Sequence, residues 1–445
     1  MPGVFGIWAV MHGITSLLRQ KGALRYTIRR RDWNFHGKCA IVRTGRRFVL
    51  TNGHFSQLLE ALSGMYGGGC DGMFRAPGRT ELIGNHTDHQ HGRVIAAAVS
   101  LSLYAAVSAT NSGRLRVSSE GMPPVDVDLK NLDPIECERG TSAALVRGVA
   151  AGFAARGMSF DGRGLDMCVS GGVPIGSGLS SSACFEVLVA TAVDEMFFGG
   201  ELAPVECAKI AWNAENSYFG KPCGLMDQLA CACGGVTAMD LLEPEEPILT
   251  NMRLDLAREG FALCLVDSHS GHEDLTDEYS AVAAEMSSAA AFLGHSYLRG
   301  AGLDELVETL PKMREALGDR ACMRALHFLS EDARAAKAGA ALASGDFRAF
   351  LELVRQSGQS SSAYLQNVSP PGNVRSQPMA LTLALCSALL EGRGAVRVHG
   401  GGFGGWAQCY VPLDVLDRFI CGCETALGKG SVRRLELCPY GAARI

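Results

Sequence analysis

The sequence lacks the features that would point to a nucleic-acid partner, a membrane span or a structural zinc site. Of its 445 residues, 41 are Lys or Arg and 46 are Asp or Glu, so the formal net charge is -5 and there is no overall basic field to attract nucleic acid. The charge is unevenly spread. Ten of the Lys and Arg and one acid, Asp32, fall in the first fifty positions, which leaves 31 basic and 45 acidic residues for the rest. At the start an apolar stretch precedes the basic residues, the reverse of a secretory signal, and 1–53 is read as a basic extension that adds little to the fold. The 16 cysteines include no CxxC pair, which argues against zinc and fits small buried side chains in a reducing cytoplasm. The uncharged run from Val94 to Gly113 is interrupted by Ser100, Ser102, Ser108 and Ser112, and reads as buried strand in place of a transmembrane helix. Neither the Walker pattern Gly-x4-Gly-Lys-Ser/Thr nor the dinucleotide fingerprint is present.

A hydrophobic content of 47% over this length is enough for a large core and predicts two domains. The apolar spacing predicts a helix from His54 that is stopped by glycines, strands at Gly72 to Phe74 and Val94 to Ala109, and a helix from Ser142 ended by Gly157. The most informative stretch begins LDMCVSGGVPIGSGLSSSACF. It joins a short apolar run to a turn-rich loop from Gly171 to Ser182 and then to a helical pattern starting near Ser181. The first N–H groups of a helix have no internal partner and sit at the positive end of its dipole, so such a loop can hold phosphate oxygens. Hydroxyls at Ser180, Ser181 and Ser182 add donors or a metal ligand. Taken alone, the same loop also reads as an ordinary serine-capped helix start.

Three separated segments, in order, resemble the motifs of the GHMP kinases and, within them, the galactokinase branch. APGRTELIGNHTDHQHG (Ala76 to Gly92) is similar to the galactokinase signature, PIGSGLSSSA (Pro174 to Ala183) to the phosphate loop, and VHGGGFGGW (Val398 to Trp406) to the third, glycine-rich motif. ENSYFGKPCGLMDQ from Glu215 resembles the block that supplies a metal-binding Glu and an active-site Asp, and DEYSAVAAEM from Asp277 a sugar-binding Tyr followed by a helix. The resemblance implies a GHMP kinase fold of two mixed α/β domains, expected over 54–245 and 246–445, with the active site in the cleft between them. It also implies a cytoplasmic enzyme that uses ATP and Mg2+ to phosphorylate the C1 hydroxyl of galactose, with small molecules as its partners, no nucleic acid or membrane, and no required oligomer.

Carried over residue by residue, the resemblance makes Asp227 and Arg79 the catalytic pair. Asn85, His86, Asp88, Gly224, Asp227 and Tyr279 become sugar-binding residues. Gly176, Ser177, Gly178, Leu179, Ser180, Ser181 and Ser182 become the ATP phosphate loop, and Ser182 and Glu215 the magnesium ligands. Phe403 is expected as a packing anchor. Two positions depart from the family pattern, Asn85 where galactokinases normally have Glu and His89 where Tyr is usual. Loss of that carboxylate, with His86, His89 and His91 nearby, leaves a galacturonate kinase open as an alternative, beside an N-acetylgalactosamine kinase and a non-catalytic sugar and ATP sensor.

Overall fold

The computed structural model describes residues 52–174, 176–270 and 276–445. The basic extension expected over 1–53 lies, up to residue 51, outside them. Residues Gln57–Ile445 form one compact unit. The chain begins with α1 (Asn52–Tyr66) and runs through β1 (Gly72–Ile83), β2 (Arg93–Thr110), β3 (Arg114–Ser119), β4 (Val125–Asp128), α2 (Ser142–Ala155) and β5 (Gly164–Gly171). It continues with α3 (Ser181–Val193), α4 (Pro204–Asn213), α5 (Met226–Cys233), β6 (Val236–Asp240), β7 (Ile248–Met252) and β8 (Phe261–Asp267). Then come α6 (Thr276–Phe292), α7 (Leu303–Ser344), α8 (Phe347–Ser360), α9 (Pro378–Leu390), β9 (Ala395–Val398), β10 (Trp406–Pro412), α10 (Leu416–Leu427), β11 (Val432–Leu435) and β12 (Ala443–Arg444).

Among the described residues the strands form two sheets. The first has the order β12-β1-β2-β5-β3-β4, with β6 and β7 added beside β2, and the second has the antiparallel order β11-β8-β10-β9. β2 organises the first sheet. One of its edges pairs with β1, while the other serves β5 through residues 103–110 and β6 through residues 93–97. Ile95, Ala96, Ala97, Ala98 and Val99 are all buried, so this part of β2 is covered on both faces, as its unbroken apolar run requires. α3 and α5, packed on each other, and α7, on which α8 packs, supply that cover.

β1 runs past Phe74, where the expected strand ended, through the first motif to Ile83. Pro77 cannot donate to the ladder, and the pairing with β2 shifts register between Pro77 and Arg79 and again between Glu81 and Ile83. The bulges let a Pro-Gly sequence stay in the sheet, with Arg79 and Glu81 two residues apart on one face. One apolar core joins the two sheets: Phe74, Leu82 and Ile95 cluster with Leu263, Leu265, Phe350 and Tyr410. A second cluster lies between α6 and α7 and includes Phe403. The expected division after residue 245 falls between β6 and β7, which pair with each other in the first sheet, and β12 returns to the same sheet beside β1.

Candidate active site

The signature segment after β1 is a tightly wound loop. His86 and His91 have left-handed backbone (φ 57 and 62), and a short 3-10 turn spans Asp88–Gln90 between them. Thr87 Oγ1 donates to Gly84 O (2.8 Å) and Arg93 O (2.6 Å), tying the loop to its own base. Gln90 points away, donating to Ser287 Oγ (3.1 Å) and accepting from Leu298 N (3.1 Å). Below the loop, Arg93 and Arg299 each contact both Asp240 and Asp332 at 2.7–3.0 Å, a closed ring of four charges. The winding leaves His86, Asp88 and His89 facing a cavity of about 450 Å³, which they line together with Arg79, Glu81 and Asp227.

Asp227 enters from the first turn of α5. Its Oδ1 accepts from Arg79 Nε (2.6 Å) and its Oδ2 from Arg79 Nη2 (2.6 Å), a bidentate pair in which the arginine side chain is 4% exposed. Burial would raise the Asp227 carboxyl, but the charge and hydrogen bonds of Arg79 outweigh it and hold the group below its usual range. The third arginine nitrogen, Nη1, donates to Gly178 O in the glycine loop. Of the expected phosphate-loop residues, Gly176, Ser177, Gly178, Ser180, Ser181 and Ser182 line the cavity. Leu179 does not: its side chain is 1% exposed and belongs to the core.

The expected sugar residues divide in the same way. Burial holds His86 down to about 4 and His89 to about 3, so both rings are neutral at pH 7, and His86 Nε2 donates to Gly401 O (3.0 Å). Burial and the carboxylates of Asp227 and Glu81 push Asp88 up to about 7. Gly224 is the residue that lets Asp88 sit there, because a Cβ on it would lie 2.0 Å from Asp88 Oδ2. Tyr279, on α6, donates to Gly402 O (3.0 Å) and meets Phe403 edge-on, so Phe403 is indeed buried packing. His91 stacks on Tyr297 and bonds to Leu242 O (3.0 Å); it is not among the cavity-lining residues.

Asn85 differs from the expectation. It is fully buried, and its Nδ2 donates to Glu81 Oε2 (3.0 Å) and Gly400 O (2.7 Å). Its Oδ1 accepts from Ser361 Oγ (3.1 Å) and Asn367 Nδ2 (2.9 Å). The carboxamide therefore ties the signature loop to the third motif beneath the cavity and is absent from the lining, whereas Glu81 is part of it. Glu81 is ion-paired with Arg397 of β9, both essentially without exposure. The carboxylate missing at position 85 is thus present four residues earlier, a placement that the two-residue strand spacing from Arg79 could have signalled.

At the other end of the cavity Ser182 Oγ donates to Glu215 Oε1 (2.9 Å), so the two expected magnesium ligands meet. Lys221 Nζ lies 3.2 Å from the same oxygen, and Gln228 Nε2 donates to Glu215 Oε2 (2.7 Å). Two hard oxygens beside a phosphate-binding loop suit Mg2+, which prefers one or two protein carboxylates plus nucleotide phosphates. Lys221 was not singled out from the sequence, although it lies within the matching block. Glu186, also missed, is wholly buried on α3 with Oε2 3.4 Å from Gln228 Nε2; burial, then the neighbouring Glu215, raises its carboxyl well above the usual range.

Residues 140–235 match the family model of the GHMP kinases N-terminal domain, and residues 63–109 match the galactokinase galactose-binding signature. A galactokinase from Streptomyces coelicolor is 33% identical over 390 residues, covering 86% of this chain and 97% of that protein. Among solved structures, Lactococcus lactis galactokinase complexed with galactose superposes with a TM-score of 0.74 at 22% identity, over 88% of this chain and 99% of that one. A D-glycero-D-manno-heptose 1-phosphate kinase from Bacteroides thetaiotaomicron has a TM-score of 0.56 at 16% identity, over 84% and 98%. With the fold shared and a third of the residues identical across nearly the whole relative, the chain belongs to the galactokinase family of the GHMP kinases.

Proposed function

We propose that the chain transfers the γ-phosphoryl group of ATP to the C1 hydroxyl of galactose, giving galactose 1-phosphate and ADP. The observation that carries this reading is the buried Arg79–Asp227 pair, at the point where the glycine loop and the signature loop share one cavity. Phosphoryl transfer needs positioning and charge neutralisation more than covalent chemistry. Asp227 orients the attacking hydroxyl and takes its proton. A carboxylate held below its usual range is a weak base, so the proton moves late, once bonding to phosphorus has acidified the hydroxyl. Arg79 keeps Asp227 ionised and faces the charge that develops on the phosphoryl oxygens. The first turn of α3 offers its N–H groups to the phosphates. Ser182 and Glu215 would hold Mg2+, which supplies charge neutralisation to the nucleotide phosphates when bound.

A uronate fits the cavity poorly. Asp88 faces it, the His86 and His89 rings are neutral, and the lining cations Arg79 and Lys221 are already paired with Asp227 and Glu215. ADP release measured with ATP and Mg2+ should therefore follow galactose and be negligible with galacturonate, glucose or arabinose. Galacturonate as the best substrate would overturn the specificity reading, and sugar binding with no ADP release from any of these would move the protein to the sensor class. Gly224→Ala should lower kcat/KM for galactose on the order of 10²-fold, because Asp88 must be displaced by an ångström or more to clear the new methyl. Steady-state kinetics beside a melting curve would check it, and an unchanged KM for galactose would remove Asp88 from the sugar site.

A further inference from the structure

We infer that Ser180 is a positioning residue for Asp227 and not a ligand of the nucleotide phosphates. Ser180 occupies the N-cap of α3, where a serine normally has extended backbone and accepts a hydrogen bond from the first turn. Here its backbone is left-handed (φ 55, ψ 63) and its side chain makes no capping bond. A non-glycine residue adopts that conformation only where its surroundings enforce it. The outcome of the turn is that the Ser180 hydroxyl donates to Asp227 Oδ2.

This third donor differs in kind from the two that Arg79 supplies. Both arginine bonds come from one planar guanidinium, which fixes the plane of the carboxylate but lets the pair move as a unit. The serine bond comes from the phosphate loop, and the same loop accepts Arg79 Nη1 through Gly178 O. Residues 178 and 180 thus grip both members of the pair, so that the oxygen meeting the sugar hydroxyl keeps a fixed distance from the place where the loop holds phosphate. With the hydroxyl turned toward Asp227 and no side chain capping α3, the N–H groups of its first turn are left for the anion.

The inference rests on reading Asp227 as the group that meets the attacking hydroxyl. Ser180→Gly removes the hydroxyl while suiting the left-handed backbone, so it is the variant expected to stay folded, and Ser180→Ala removes the hydroxyl alone. In both, kcat should fall on the order of 10- to 10²-fold, while the KM for ATP and the calorimetric Kd for ADP stay within about twofold, as expected when transition-state positioning is lost and ground-state nucleotide binding is kept. In an Asp227→Ala background, Ser180→Gly should lower the residual rate no further, since the hydroxyl acts only through that carboxylate. Wild-type kcat in Ser180→Gly, a tenfold weaker ADP Kd, or multiplicative losses in the double variant would each overturn the inference alone. Full activity in Asp227→Ala by itself would overturn the reading of Asp227, and this inference with it.

Discussion

Asp227→Ala should lower kcat for galactose by on the order of 10² to 10⁴, the range that a positioned proton acceptor supplies. The loss has two sources, and a second variant separates them. Alanine removes the acceptor and also strands the Arg79 guanidinium, which is almost wholly buried and has Asp227 as its ion-pair partner. Asp227→Asn keeps the shape and one oxygen acceptor for Arg79 and Ser180 but has no negative charge. If the carboxylate acts on the substrate hydroxyl, both variants lose activity by similar factors; both also leave the Arg79 charge uncompensated and lower the melting temperature, the alanine variant further because it loses the side-chain volume and the remaining oxygen acceptor as well. Calorimetric titration with galactose and with ADP then reports whether the ground-state complexes survive. An alanine variant that retains more than about a tenth of the wild-type kcat would leave Asp227 without a chemical role.

Arg397→Met should cost about 3–5 kcal/mol of folding stability, the penalty for leaving one member of a buried ion pair alone. Arg397 and Glu81 are 1% exposed or less, and they join β9 of the second sheet to β1 of the first. The stranded Glu81 carboxylate would also disturb Asn85, which donates to its other oxygen. Adding Glu81→Gln to the methionine variant removes the uncompensated charge and should recover most of the lost stability, because replacing both members of such a pair is often close to neutral. Urea unfolding of the two single variants and the double gives the coupling directly. A single-variant cost below about 1 kcal/mol would mean that water reaches the pair and that it behaves like a surface salt bridge.

What was legible in the sequence was local. The helix expected near Ser181 begins there, and the helix expected from Ser142 runs to Ala155 before its glycine stop. Capping residues, glycine stops and apolar spacing all act within a few positions of one another. β1 was read short because Pro77 and Gly78 look like a strand end, and only the pairing with β2 shows that a bulge absorbs them. Asn85 illustrates the other limit. Its kinship with a family glutamate placed it among the sugar ligands, but its direction is set by Gly400, Ser361 and Asn367, hundreds of positions away. Leu179 was drawn into the phosphate loop by its neighbours although an apolar side chain between glycine and serine had the core to fill. The Ser180 conformation runs against the ordinary preference of its residue type, so no local rule could have proposed it.

The strand Ala443–Arg444 lies against β1, with Phe74 facing Arg444 and Arg75 facing Ala443. During synthesis β1 emerges early and must wait for more than three hundred further residues before that edge is covered. Until then the edge at Phe74 and Arg75 has no strand beside it, which is the setting in which strands pair with the wrong neighbour. Closing so long a loop also gives the first sheet a high contact order and makes its completion a late and slow event. The ribosome and the chaperones that meet the nascent chain therefore handle a sheet whose β1 edge is still open at Phe74 and Arg75.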